Sequence, residues 1–293
     1  MRRFKRMESG YQWKDSPIYP VFPKIREYSG AIILVSLLLL SLMAPILTPY
    51  NPVAANMDEV YESPSITHPC GTDGLGRDVF SRLLYGTRIT IMVGVAASLL
   101  AATLGVVIGL LAGYYRGIWD NILMRGVDMW YSVPEMMAIL FILTLYPRSI
   151  LLIILAIAIT HWATPARLVR SEALSLRQRP FIETSIGLGA GDLYVLLRHM
   201  FPNILHIAIV STTLMTSHAI MHEAALGFLG LGVPVHEPSW GNMLSEARND
   251  ILLGVWWTSF FPGIFIVITM LSVYHIGTTL SERFVPRREL RAE

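Results

Sequence analysis

Six apolar runs, at about residues 30–48, 89–113, 127–145, 149–164, 204–226 and 255–277, set the terms on which this chain can fold. A hydrocarbon layer about 30 Å thick takes roughly 20 apolar residues per helix, and the runs are close to that length. Within lipid every backbone N–H and C=O must find a partner inside its own segment, so each run is predicted to be a helix. Hydrophobic residues make up 53% of the chain and charged ones 15%, and the mean hydropathy is +0.51. Such a chain has lipid rather than water as its main solvent. The expected fold class is an all-α integral membrane protein with about six transmembrane helices. Tyr146-Pro147-Arg148 leaves only a tight turn between the third and fourth runs, which are kept as two spans.

Charge placement orients these spans, because lysine and arginine resist translocation more than acids do. With the N-terminus inside, 18 of the 23 lysines and arginines fall on inner segments, and only Arg77, Arg82, Arg88, Arg148 and Arg248 lie outside. The chain is therefore expected to run as a cytoplasmic tail (1–29), a first transmembrane helix (30–48) and an extracytoplasmic loop (49–88). A transmembrane core (89–277) follows, with a cytoplasmic loop at 165–203 and an outer loop at 227–254, and then a cytoplasmic tail (278–293). The opening "MRRFKRMESGYQWK" is basic, but the first apolar run starts too far in for a cleaved signal peptide. The single cysteine, Cys70, has no partner for an internal disulfide and is expected to be a packed thiol.

On the expected cytoplasmic face lies "FIETSIGLGAGDLYVLLRHMFPN", residues 181–203, a polar island between apolar runs. Ile182 and Ile186 sit one helical turn apart, Gly189-Ala190-Gly191 interrupts, Asp192 is placed to cap a new helix, and that helix is expected to run until Pro202. A helix, a bend and a second helix would present a compact knob to a soluble partner. The competing reading is an amphipathic loop helix lying on lipid headgroups. The spacing of Glu183, Gly189 and Pro202 resembles the Glu-Ala-Ala loop of ATP-binding-cassette importer permeases, with Thr184 and Ser185 in place of the two alanines.

Two further stretches carry the same resemblance. "HPCGTDGLGRDVFSRLLYGTRIT" (68–90) is similar to the segment before the second span in permeases of the dipeptide, oligopeptide and nickel importer family. "AALGFLGLGVPVHEPSWGNMLSEAR" (224–248) is similar to the segment between that family's last two spans. The proline-rich first outer loop and the overall length match the second of the family's two permease subunits. The resemblance implies a type I importer permease fold in a prokaryotic inner membrane. It also implies a second permease subunit, two ATPase subunits docking on Glu183, Thr184, Ser185, Gly189, Ala190, Gly191, Asp192 and Pro202, and an extracytoplasmic solute-binding protein. Membrane lipid is the remaining partner, and no nucleic-acid role is expected. No lysine follows Lys24, so a phosphate-cradling Gly-x4-Gly-Lys-Ser/Thr loop is absent. ATP and Mg are thus expected on the partner subunits, with no cofactor on this chain and no enzyme activity of its own.

Residues at membrane depth suggest the pathway. Ala97, Ala101, Gly105, Gly109 and Gly113 recur every four residues and predict close approach of a neighbouring helix. His218 and His222 share a helical face, with Met215 nearby, and two imidazoles at that spacing can hold a borderline metal ion transiently. The plainer reading is two histidines lining a wet crevice or bonding a neighbouring helix. Nickel permeases of the family are similar at this His-x3-His, so nickel or a metal chelate is the expected cargo, with di- or oligopeptides as the alternative. Glu223 adjoins His222 but points about 100° away. Glu135, after Pro134, is an ionisable residue inside a span and hence a pathway candidate. An ion-coupled secondary transporter would need more intramembrane carboxylates than Glu135, Asp128 and Glu223, and an intramembrane enzyme would need a third ligand and a catalytic acid.

Overall fold

The computed structural model describes residues 21–234 and 236–284; the basic tail segments 1–20 and 285–293 lie outside the described residues. The helices, in chain order, are α1 (Val21–Leu42), α2 (Ala44–Leu47), α3 (Val79–Tyr115), α4 (Gly117–Tyr131), α5 (Glu135–Leu145), α6 (Ile150–His161), α7 (Ala163–Leu176), α8 (Pro180–Gly187), α9 (Asp192–Tyr194), α10 (Phe201–Phe228), α11 (Trp240–Glu246) and α12 (Trp257–Phe284). Among the described residues there is no strand, only an isolated bridge between Thr72 and Asp78. Among the described residues three helical runs are long and apolar enough to cross a membrane unaided: Val79–Tyr115, Asp192–Phe228 and Trp257–Phe284. Two more stretches are apolar and long enough only as bent pairs, α4 with α5 at 83° and α6 with α7 at 43°, each a broken span or a re-entrant loop. The apolar part of α1, Glu27–Leu42, is a shorter helix.

Prolines explain both bends. Pro134 has no N–H and steers Val133 away from helical backbone, so the run expected as one span at 127–145 breaks between Tyr131 and Glu135. Pro165 cannot donate to the His161 carbonyl four residues earlier, and the chain bends at Trp162. The neighbouring Thr160 carbonyl is satisfied from outside, by the indole N–H of Trp130 at 3.2 Å. Tyr131 and Thr164 add a hydroxyl pair at 2.9 Å, so the two bends are tied to each other.

α3 starts at Val79, ten residues before the apolar run expected from hydropathy. Asp78 makes the difference: its Oδ2 accepts from the Ser81 backbone N–H and from the Ser81 hydroxyl, both at 2.7 Å, capping the first turn. Further along, the small-residue stripe lets α7 approach. A Cβ at Gly105 would meet Pro165 Cγ at 2.5 Å and the Trp162 carbonyl at 2.7 Å, and one at Gly113 would meet Ala173 Cβ at 2.4 Å. Ala97 and Ala101 are fully buried on the same face. α1 lies against α12, where a Cβ at Gly30 would meet the Ser272 carbonyl at 2.6 Å. Arg283 donates to Glu27 at 2.9 Å across this contact.

The second half of the polar island departs from expectation. Asp192 does not cap a helix with its side chain; Gly191 occupies the N-cap and Asp192 accepts from the Tyr114 hydroxyl at 2.8 Å. Nor does Pro202 end the helix. A wide π turn at Val195–Met200 precedes it, and the helix continues through Pro202 to Phe228. Enlarging the turn removes the need for an N–H at Pro202, which then stands near the start of a regular α segment.

Candidate functional site

Both bends and α10 meet at one buried polar cluster. The break at Ser132–Pro134 leaves Glu135 in the first turn of α5, and the bend at Trp162 leaves His161 in the last turn of α6. His222 reaches them from α10. His161 Nε2 lies 3.1 Å from Glu135 Oε1, and His222 Nε2 lies 3.7 Å from Glu135 Oε2. The two imidazoles meet edge to face, with centroids 4.8 Å apart. His161 and His222 are buried, whereas the Glu135 side chain is 46% exposed, so the carboxylate is the open side of the cluster. Helix breaks at membrane depth free backbone and place polar side chains where an unbroken apolar helix would not.

The residues expected on sequence grounds divide. Glu135 and His222 are brought together. His218, one turn from His222, is exposed, and Met215 is buried in a packing cluster with Ala101 and Ala158. Glu223 is fully buried on another face and accepts from Thr90 Oγ1 at 3.0 Å. Asp128 lies at the surface, paired with Arg167 at 2.8 Å. His161 was missed. Its signal was the rule that selected Glu135, since a titratable residue near a proline inside an apolar run deserves the same suspicion.

At the end of the bundle carrying residues 177–191, α8 and the turn after it form a knob. Ile182 is its anchor, fully buried beside Val195, Met200 and Ile204. Leu176 and Tyr114 complete the seat, and the Arg177 guanidinium lies over the Tyr114 ring at 5.5 Å. The outer surface of the knob is apolar but uncovered: Phe181, Leu188, Leu193 and Leu197 are exposed, Leu188 to 84%. Glu183, Thr184, Gly189, Gly191 and Asp192 are exposed beside them, with Ser185 and Ala190 half-buried; Pro202 is exposed one turn beyond the π segment. Gly189 has φ +85°, the left-handed backbone that turns the chain between the two helices.

The opposite end is held by buried charge. Arg77 donates to Asp73 at 2.8 Å and to Glu246 at 2.5 Å, and Arg82 donates to the same two carboxylates, at 2.6 Å to Glu246. His68 lies 2.9 Å from Asp78, and Trp257 donates to the Thr72 carbonyl at 3.0 Å. Arg77 and Arg82 thus tie the loop to Glu246 at the end of α11, the Trp257 indole ties it to α12, and Asp78 holds His68 within the loop. The Tyr61 phenol, bonded to Asp250 at 2.8 Å, is pushed above its usual range by that hydrogen bond and by burial. Cys70 is a packed thiol, as expected, in a cluster with Trp240 and Trp257.

Burial, aided by the Asp78 charge, pushes the Cys70 thiol from the usual 9.0 up to about 12. Thiolate is the reactive form, so at neutral pH Cys70 holds about a thousandfold less of it than an ordinary cysteine. Cys70 should therefore label slowly with a maleimide at pH 7.5 in the purified protein, while an Ile66→Cys variant, at a fully exposed site, labels quickly. Raising the pH to 9 should leave Cys70 slow, because its titration lies higher still. Rapid labelling of Cys70 in the folded protein would show the loop packing to be wrong.

Bent helix pairs around a polar cluster, with an uncovered apolar knob at one end, are an arrangement that suits a transport permease. Residues 105–290 match the family described as "Binding-protein-dependent transport system inner membrane component", and the chain belongs to that family. It is 38% identical over 263 residues to a putative peptide permease protein of Brucella suis biovar 1 (strain 1330), covering 89% of this chain and 87% of that one. It is 36% identical to the dipeptide transport system permease protein DppC of Bacillus subtilis (strain 168), over 88% of this chain and 81% of the relative. The oligopeptide permease protein OppC of the same organism is 36% identical, over 94% and 90%. In fold it is similar to a chain of the MetNI methionine ABC transporter in an inward-facing conformation, with TM-score 0.57, 14% identity, and coverage of 70% of this chain and 97% of that one. The chain is thus a permease subunit of an ABC importer, a multi-pass inner-membrane protein.

Proposed function

We propose that this chain conducts short peptides across the inner membrane. The observation that carries this reading is the relatives, which are named for peptides, dipeptides and oligopeptides and match across more than four-fifths of both chains. The nickel cargo expected from His218 and His222 finds no support in those names. The central cluster suits a zwitterionic cargo, because one half-open carboxylate flanked by imidazoles offers a weak site for an ammonium group. In this reading the pathway is completed by a second permease subunit, a solute-binding protein delivers cargo to the end held by Asp73 and Arg77, and two ATPase subunits grip the apolar knob. Both termini are cytoplasmic, for which the charge distribution is the support; Ile66→Cys should then label from outside intact cells with an impermeant reagent.

The test is uptake by the complete transporter in proteoliposomes. Radiolabelled di- and tripeptides should accumulate and stimulate ATP hydrolysis, and radioactive nickel supplied alone should not. Glu135→Gln should lower peptide uptake roughly tenfold, the loss of about 1.4 kcal/mol of favourable interaction, with the assembled complex undiminished. Nickel uptake without peptide uptake would restore the metal cargo.

A further inference from the structure

We propose that Glu135, His161 and His222 form a three-ligand site for one divalent transition-metal cation of the zinc and nickel kind. Their donor atoms lie within 4.8 Å of one another. In a tetrahedral site with bonds of about 2.0–2.1 Å the ligand atoms stand roughly 3.3 Å apart. His161 Nε2 stands 3.1 Å from Glu135 Oε1 and His222 Nε2 3.7 Å from Oε2, so each imidazole faces its own oxygen of the carboxylate at about that spacing, and a small closing movement brings one oxygen to both.

The tautomer of His161 is fixed by its surroundings. Its Nδ1 lies 2.9 Å from the Ile157 carbonyl, which only accepts, so Nδ1 carries the proton. The nearby Thr160 hydroxyl, 3.0 Å from Nδ1, gives its own proton to the Ala156 and Ile157 carbonyls. His161 Nε2 is therefore left with a lone pair in a buried place, near Glu135 but making no hydrogen bond to it. A bare lone pair facing a carboxylate is an unfavourable pairing that a cation between them reverses. The backbone carbonyl on the far nitrogen is also the outer support that metal-binding imidazoles commonly have. Imidazole and carboxylate together favour borderline divalent ions. Three protein ligands leave a position open on the exposed Glu135 side, so the ion exchanges readily.

This site differs from the His218 and His222 pair, because His218 takes no part and two ligands come from the broken helices. The same three side chains serve the peptide reading, where a bound cation and an ammonium group would compete for Glu135, and binding of zinc alone with no cargo present separates the two. The assembled transporter, stripped with chelator, should take up one zinc equivalent more by equilibrium dialysis than a complex carrying Glu135→Gln, His161→Ala and His222→Ala together. Each single change should lose that equivalent, and His218→Ala should keep it. Cobalt in place of zinc should give the visible absorption of a low-symmetry, four-coordinate site in the wild type and in His218→Ala, and not in the triple variant. Retention of the mutant helical content and elution volume excludes misfolding as the cause. Equal zinc content in wild type and triple variant across the micromolar range, or loss of the ion in His218→Ala, would overturn the proposal.

Discussion

Gly109→Leu should leave almost no folded permease in the membrane. At this position the added Cβ alone would stand 2.5 Å from the Ala166 carbonyl, 2.8 Å from Val169 Cβ and 3.0 Å from the Arg170 amide. Two of these three obstacles are backbone, so no rotamer change on α7 relieves them. The cost exceeds the ~1–3 kcal/mol typical of overpacking a core, against a total stability of about 5–15 kcal/mol. The same stripe places Pro165 and Trp162, so forcing α3 from α7 also disturbs the bend that positions His161. Gly126→Leu is the matched control, because nothing lies within 4 Å of a Cβ there. Fluorescence-detected gel filtration of both variants checks the result. A monodisperse Gly109→Leu peak at wild-type yield would mean the helices are less tightly seated than described.

Gly189→Trp should abolish coupled transport while leaving membrane insertion intact. The residue sits at φ +85° with open space around it, so the fold absorbs the indole at a strain of about 1–2 kcal/mol. The new bulk then stands on the knob beside Leu188 and Leu193, where the proposed ATPase contact is made. Uptake should fall more than tenfold, and the ATPase subunits should co-purify poorly. Gly189→Asn separates strain from bulk, since asparagine tolerates left-handed backbone and should transport close to wild type. Undiminished cargo-stimulated ATP hydrolysis in Gly189→Trp would remove the knob from the ATPase interface.

Much of the helical plan was legible because lipid demands long apolar runs, and the glycine stripe was legible because four-residue spacing keeps one face small. Hydropathy could not see the breaks. The run at 127–145 stays apolar through Pro134, although the backbone cannot stay helical there. Pro202 misled in the opposite sense: a proline next to polar residues reads as a stop, but the π turn before it absorbs the missing donor. The site was half legible. Glu135 and His222 stood out as titratable groups inside spans, whereas His161 is 61 residues from His222, and only the packing of α6 against α10 brings them together. His218 was favoured by sequence spacing, which defines a face of one helix but not the element that face meets.

The helical run from Asp192 to Phe228, π turn included, joins the knob to His222 in one continuous element. Asp192 and His222 stand about 45 Å apart along it at 1.5 Å per residue. Rigid rods convert angle into distance. A tilt of about 10° pivoting at the knob carries the His222 imidazole roughly 8 Å, more than twice its present separation from Glu135. The cluster is therefore a vernier on the attitude of this one helix: His222 meets Glu135 at one tilt and is out of its reach at a slightly different one, while the Glu135–His161 pair, carried by α5 and α6, stays together.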